Sequence, residues 1–378
     1  MSVPLFAFAA GVAARPVRTV YVLGAGSSAE GGVPLSSQIL PVGLELRRAL
    51  RERGGREDGR HPYLARLGEA HREAFDRVYE FIAGCVQGLE GPDALDPAGL
   101  PTVDELWALL ELAREHRARF GCAAGAADVG RVRRALMVLL YHVLVGCRVE
   151  GAEGPALRVR FGPGPNPYGG FVRLLGPDDA VIALNYDTLL EGALREVGRS
   201  ADYGIATDRR EEAVEPALLV KPHGSFNWLY CPTCGALNDF GCRDVARVAI
   251  ELDDEQCACP ADGTPREYVI VPPSLVKNYS NPHLSQLWAV AAMLLRSCER
   301  VVFCGVSMAD SDIYFKYLIK QATSLNPRLR EGRGRLVVVN RTRDDVLPYV
   351  RLFGPRAVKS VIVPFSEYVE REAARAPR

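Results

Sequence analysis

Six short, continuously apolar runs recur along this 378-residue chain: TVYVL (19–23), AVIALN (180–185), ALLVKPHG (217–224), YVIVPP (268–273), RVVFCGVS (300–307) and RLVVVN (335–340). A strand with one wet face alternates apolar and polar residues. A strand covered on both faces has no reason to, so runs of this kind belong in a parallel sheet sandwiched by helices. The fold class that follows is α/β, a Rossmann-like, doubly wound, mostly parallel sheet. Ligands of such sheets sit outside the carboxyl ends of the strands. Gly24, Asn185, His223, Ser307 and Asn340 all stand at those ends.

Strand signals vanish between about residues 36 and 170, which reads as a helical insertion within one domain spanning 1–378. Thr102 and Glu105 in PTVDELWALLELAREH form a capping box ahead of an amphipathic helix. RVRRALMVLLYHVLVGCR (131–148) is apolar nearly all round, as a buried helix is. Pro/Gly-rich loops interrupt the insertion at 90–99 and close it at 161–170. SEYVEREAARAPR reads as a final helix that frays.

The 46 basic and 46 acidic side chains cancel, so no global field draws the chain to nucleic acid or to an anionic membrane. No segment reaches the roughly 20 apolar residues a bilayer crossing needs. The opening MSVPLFAFAAGVAARP lacks the basic start of a signal peptide. Ten dispersed cysteines do not make a disulfide scaffold, and a reducing cytoplasm is the expected setting.

Directly behind the first run lies GAGSSAEGGVP (24–34). A glycine-rich turn after a strand lets backbone N–H groups approach a phosphate, which suits a nucleotide pyrophosphate. Two other readings stay open on these residues alone. Gly24, Gly26 and Ala29 also satisfy the ordinary dinucleotide fingerprint, with Glu45 as a ribose acceptor, and an oxidoreductase would follow. A tight turn without a ligand is the other.

Taken with the later elements, the string resembles the sirtuin phosphate loop, at Gly24, Ala25, Gly26, Ser28, Gly32, Val33 and Pro34. LNYD is similar to the sirtuin Gln-Asn-Ile-Asp element, giving Asn185 and Asp187; KPHGS supplies the His-Gly pair, His223 and Gly224. CGVS resembles the Gly-x-Ser turn, at Gly305 and Ser307, and the strand ending in Asn340 stands where the family contacts the adenosine-side ribose. The resemblance implies NAD as substrate. It implies that Asp187 holds the nicotinamide carboxamide.

The residue types suit that chemistry. Breaking the bond between nicotinamide and ribose passes through an oxocarbenium-like state and needs a positioned nucleophile and a base. Asn185, donor at one end and acceptor at the other, can orient the ribose and a water. His223 can take a proton at neutral pH. The bland readings are a core histidine and an Asn–Asp pair that turns the chain or caps the helix after it.

Two departures from the sirtuin pattern favour water over an acyl-lysine as acceptor. Leu-Ser-Ser follows Pro34 in place of Asp-Phe-Arg, and no Phe-Gly-Glu stretch follows IVPPSLVKN. With the large insertion, these features resemble the bacterial sirtuin-like domains of antiphage systems, which destroy cellular NAD when triggered. That resemblance implies a regulated NAD hydrolase, a helicase-like ATPase or other activating partner, and a homo-oligomer. A protein lysine deacylase and a non-catalytic NAD or ADP-ribose-binding module are the alternatives.

Residues 229–266 form a cysteine-rich insert directly after the His-Gly element. Cys231 and Cys234 make a CxxC knuckle followed by glycine, and Cys257 and Cys259 a CxC. Four thiolates favour tetrahedral zinc, and sirtuins carry a structural zinc ribbon near this position. The irregular second half leaves Cys242 as a substitute ligand, and a redox pair or packed thiols as other readings.

Overall fold

The computed structural model describes residues 17–52, 62–122, 125–126, 128–150, 158–162, 164–208, 215–241, 258–270, 281–308, 313–331 and 335–375. The chain divides into two compact units, one of residues 1–30, 166–271 and 278–378, the other of residues 31–165 and 272–277. Its described strands are β1 (Thr19–Leu23), β2 (Gly121–Cys122), β3 (Gly125–Ala126), β4 (Cys147–Glu150), β5 (Arg158–Phe161), β6 (Asp179–Ala183), β7 (Ala201–Asp202), β8 (Ala217–Val220), β9 (Gly224–Tyr230), β10 (Leu237–Asp239), β11 (Glu267–Ile270), β12 (Arg300–Cys304), β13 (Leu336–Asn340) and β14 (Val358–Ile362).

The first unit is built on a seven-stranded sheet in the order β14-β13-β12-β1-β6-β8-β7, with every pairing parallel. β1 and β13 are buried at every residue, as their uninterrupted apolar sequences require. From β1 the chain fills one side of the sheet (β6, β7, β8) and then returns to the other (β12, β13, β14). The strand order therefore reverses between β1 and β12, where doubly wound sheets bind ligands.

Two strands of the parallel sheet escape the sequence pattern, and one run is misplaced. β14 is the edge strand VKSVI, whose lysine and serine face solvent, so it lacks the apolar continuity of its neighbours. β7 is only two residues long. The run YVIVPP does not join the parallel sheet: β11 pairs antiparallel with β9 in a three-stranded sheet of order β10-β9-β11. Apolar continuity reports burial and not strand direction. Residues 271–273 of that run lie outside the described residues.

The second unit is mainly helical. Helices Ser36–Glu52, Glu69–Phe81, Val103–Glu115 and Val129–Gly146 bury Leu40, Leu44, Phe75, Val78, Trp107, Leu136 and Leu139. The capping box forms as expected: Thr102 Oγ1 accepts from Glu105 N, and Thr102 N donates to Glu105 Oε2 at 2.8 Å. Two antiparallel pairs, β2 with β3 and β4 with β5, interrupt the helices where the sequence showed no strand signal. In β4 and β5, CRVE and RVRF alternate charged and apolar residues over four positions, too short a run to stand out. Among the described residues no helix is long and apolar enough to cross a membrane.

Candidate functional site

The turn after β1 is pressed against the turn after β12. Gly24 N donates to Cys304 O (3.0 Å), and Gly26 N to Gly305 O (2.9 Å). A Cβ on Gly24 would lie 2.7 Å from Gly305 O, and one on Gly26 2.8 Å from Gly305 Cα. Gly305, at φ +62°, would place a Cβ 2.2 Å from Ser27 N. Backbone-to-backbone packing at the switch point thus requires all three glycines. The N–H groups of Gly24 and Gly26 are spent within the protein, so they are not the donors a phosphate would meet. The helical turn that follows is short, Ala25–Ser28 continuing as a 3₁₀ turn to Gly31. Glu30 leaves it to accept from Phe365 N and from Ser366 N (2.8 Å), capping the helix Phe365–Arg375.

The two serines of this turn meet the loop after β6. Asn185 Nδ2 donates to Gly24 O (3.0 Å) and Ser28 Oγ (2.9 Å), and lies 3.3 Å from Tyr168 Oη. Ser28 Oγ donates to Asp187 Oδ2 (3.0 Å), and Ser27 Oγ to Gly24 O (2.6 Å). Both serine protons are therefore committed, and the single proton of Tyr168, which lies 2.9 Å from Ser27 Oγ and 2.8 Å from Ser28 Oγ, serves those two oxygens. Burial, with Asp187 close by, pushes the Tyr168 phenol above its ordinary range and keeps that proton in place. The donor end of Asn185 is thus locked into the protein, and its Oδ1 accepts no hydrogen bond among the described residues. Asp187 has a second bond from Leu189 N (3.1 Å), so it holds the first N–H of the helix Leu189–Glu196 while gripping Ser28. With both oxygens engaged, it acts here as a brace between two turns.

His223 lies in the turn between β8 and β9, 5% exposed. Its Nδ1 is 3.2 Å from the carbonyl of Leu184, the residue before Asn185. Its ring stacks on Tyr186, the residue after Asn185, at 6.3 Å between centroids and 29° between planes. Trp288 packs on it at 5.5 Å. A carbonyl only accepts, so in the neutral ring Nδ1 carries the proton and Nε2 is the basic nitrogen. The imidazole thus contacts the residues on either side of Asn185, which lies 38 positions earlier in the chain.

Lys221 explains how that loop is held. Its ammonium, 1% exposed, donates to Asp187 O (2.6 Å), Glu191 Oε1 (2.9 Å) and Ser225 Oγ (2.7 Å). Ser225 continues to Asn227 and Asn227 to Asp239, while Tyr203 Oη donates to Glu191 Oε1 (3.3 Å). One buried cation ties the Asn-Tyr-Asp loop, the helix after it and the strand after His223 together.

The remaining candidates divide. Asn340 Nδ2 donates to Val306 O (3.0 Å), and Tyr349 Oη donates to the same carbonyl (2.9 Å), so Asn340 shapes the Gly305–Ser307 turn. Ser307 is exposed at its tip. Gly32 and Pro34 belong to the second unit, where Gly32 (φ +81°) packs on Arg148 and accepts from Val149 N (2.8 Å). Glu45 is there too, paired with Arg48 at 2.8 Å. Tyr168, Ser27, Lys221 and Glu191 are the site's members that the motifs did not reveal. Tyr168 stood inside a Pro/Gly loop, and its only signal is an aromatic residue that such loops rarely need to bury.

In the cysteine insert, Sγ of Cys231, Cys234 and Cys259 and a carboxylate oxygen of Asp262 lie within 4.8 Å of one another. Three soft thiolates and one carboxylate are a donor set for a borderline-soft divalent cation such as zinc. Cys257 and Cys242 lie outside the described residues. Asp262 was not among the expected ligands.

Fold and site together define a doubly wound α/β protein with a polar site at the switch-point end of its sheet. Residues 179–351 match the family model of the SIR2-like domain. That stretch is therefore similar to SIR2-like domains, and it holds Asn185, Asp187, His223, Gly305, Ser307 and Asn340. No curated protein matches the chain. Similar solved structures include one from work on the mechanism and regulation of Sir2 enzymes (16% identity, 97% of this chain and 96% of that one, TM-score 0.40). Another is of Sir2 with a p53 peptide and NAD+ (14% identity, 100% of both chains, TM-score 0.38).

Proposed function

We propose that this chain is an NAD glycohydrolase that cleaves the bond between nicotinamide and ribose. Water adds its oxygen to the anomeric carbon as the bond to the nicotinamide nitrogen breaks. Nicotinamide leaves neutral, and ADP-ribose carries the new hydroxyl. His223 Nε2 accepts the proton lost by the water or by a ribose hydroxyl; Asn185 Oδ1 orients the sugar and that water. The observation that carries this reading is the fastening of His223 Nδ1–H to Leu184 O, which directs basicity to Nε2 beside the Asn185 loop. Gly24, Ala25, Gly26, Ser28, Asp187, Gly305, Ser307 and Asn340 would surround or support NAD. Asp187 and Asn340 would do so by holding turns, a different part from the direct cofactor contacts their motifs imply.

Water is preferred over an acyl-lysine because of the sequence departures at residues 35–37 and after Pro273. An enzyme that consumes NAD is toxic unless restrained, so the activity belongs to a regulated effector, with antiphage defence as the setting. Low basal turnover, assembly into a homo-oligomer and activation by a partner such as a helicase-like ATPase follow from it.

The test is product analysis of NAD incubated with the wild type, Asn185→Ala and His223→Ala, each alone and with an acetylated peptide. The reading expects nicotinamide and ADP-ribose from the wild type, independent of peptide. It expects His223→Ala to lose a factor of about 10²–10⁴ in turnover. O-acetyl-ADP-ribose would make the chain a deacylase. Tight NAD binding without products under every activating condition would make it a binding module.

A further inference from the structure

The cysteine insert contains the same five-residue device twice. Cys231-Pro232-Thr233-Cys234-Gly235 and Cys259-Pro260-Ala261-Asp262-Gly263 share the pattern Cys-Pro-x-(Cys/Asp)-Gly. Their backbones repeat as well as their letters. Gly235 N donates to Cys231 O (3.0 Å), and Gly263 N to Cys259 O (2.8 Å). Cys231 N donates to Ala236 O (3.0 Å), and Cys259 N to Thr264 O (2.8 Å). Gly235 and Gly263 have φ of +75° and +72°, the left-handed conformation that closes such a knuckle and that glycine adopts without strain. Asp262 therefore occupies, in the second knuckle, the place that Cys234 occupies in the first.

The two knuckles face each other. Thr264 Oγ1 donates to Thr233 Oγ1 across them (2.9 Å). Cys234 Sγ is 3.6 Å from Cys259 Sγ, and Cys231 Sγ is 3.5 and 3.6 Å from the two oxygens of Asp262. A tetrahedral cation with bonds of about 2.3 Å to sulfur has ligand-to-ligand edges of about 3.7 Å. The contacts of opposite knuckles are already near that edge length, far beyond the bond of about 2.05 Å in a disulfide. Cys231 and Cys259 are buried and Cys234 and Asp262 exposed, so each knuckle contributes one inner and one outer ligand.

We infer that a single zinc-like divalent cation is held by Cys231, Cys234, Cys259 and Asp262, a three-thiolate, one-carboxylate set that is complete without Cys257. The irregular CxC spacing is then not a damaged half-site. Its second thiol begins a regular Cys-x-x-Asp knuckle. This inference stands apart from the NAD chemistry, and its test needs no turnover.

Metal content is measured by elemental mass spectrometry on the full chain, purified without chelator, with circular dichroism to establish that each variant is folded. One zinc per chain is expected in the wild type and in Cys257→Ser. Asp262→Asn, which keeps the size but not the charge, should lower zinc affinity at least tenfold. Asp262→Cys should keep the metal. With cobalt in place of zinc, its thiolate-to-metal charge-transfer absorbance should rise by about a third over wild type, from three thiolates to four. The wild-type cobalt spectrum bears on the inference even where a variant fails to fold, because a four-thiolate intensity there overturns it. So would a metal-free wild type, or a Cys257→Ser that loses zinc while Asp262→Asn retains it.

Discussion

The strand-end site and the paired knuckles are both clusters of polar side chains brought together from distant parts of the chain, yet they are held in opposite ways. At the strand ends the groups satisfy one another: Ser28 serves Asp187 and Asn185, Tyr168 serves the serines, and Lys221 serves three acceptors at once. In the knuckles Sγ of Cys231, Cys234 and Cys259 and a carboxylate oxygen of Asp262 lie within 4.8 Å of one another, and the inferred cation would be their common partner. A site that must bind and release a substrate gains from being formed in advance, since its ordering cost is met in folding and not at binding. A structural metal site has no such need, because metal binding and local folding are one event.

The sharpest way to break this contrast is Lys221→Met. If the strand-end cluster is held from within, removing its buried cation leaves Glu191 charged and unpaired in the interior, a loss of about 3–5 kcal/mol. Denaturant unfolding would measure it. The double variant Lys221→Met/Glu191→Leu should recover most of the loss, since replacing both partners of a buried pair with apolar groups is often neutral. A single variant within about 1 kcal/mol of wild type would mean that the network does not hold the loop.

Chelation tests the other half with a smaller and more local effect. Stripping the cation should raise amide hydrogen exchange in 231–241 and 258–270 and leave protection in β1, β6, β12 and β13 unchanged. Exchange that rises across the parallel sheet would show that the knuckles support the fold at large.

Much of the contrast was legible in the sequence, and the parts that were not share a cause. β1, β6, β8, β12 and β13 announced themselves because strands covered on both faces have little use for polar residues. Asn185 and His223 announced themselves as polar residues at the ends of such strands. β14 stayed hidden because an edge strand tolerates Lys359 and Ser360. Direction was illegible as well, so β11 was read into the wrong sheet. The inferred ligand Asp262 is no thiol, so a pattern of four cysteines does not include it; the repeated Cys-Pro-x-x-Gly is the sequence feature that marks its position. A Cβ on Gly24 or Gly26 would meet the backbone of Gly305 first, so the packing of the two turns requires glycine there whether or not a ligand approaches. A sequence marks where a side chain is forbidden without saying what forbids it.

The smallest predicted effect sharpens the contrast most finely. Tyr168→Phe removes one hydroxyl from a fully buried ring that otherwise packs on Phe171 and Phe365 at 6.4 and 5.7 Å. Shape and apolar contact are conserved, so the stability cost should be on the order of 1 kcal/mol, that of a single internal hydrogen bond. The serine oxygens would lose their only phenolic donor, and Asn185 one of its three neighbours. Because Asn185 Nδ2 keeps Gly24 O and Ser28 Oγ, its amide should stay in place. NAD affinity, measured by calorimetry, should then change less than threefold, about 0.7 kcal/mol. A much larger loss of affinity at the same small stability cost would move Tyr168 from the frame of the site into its binding surface. The strand ends would then be only partly satisfied from within, and the difference between the two clusters would be one of degree.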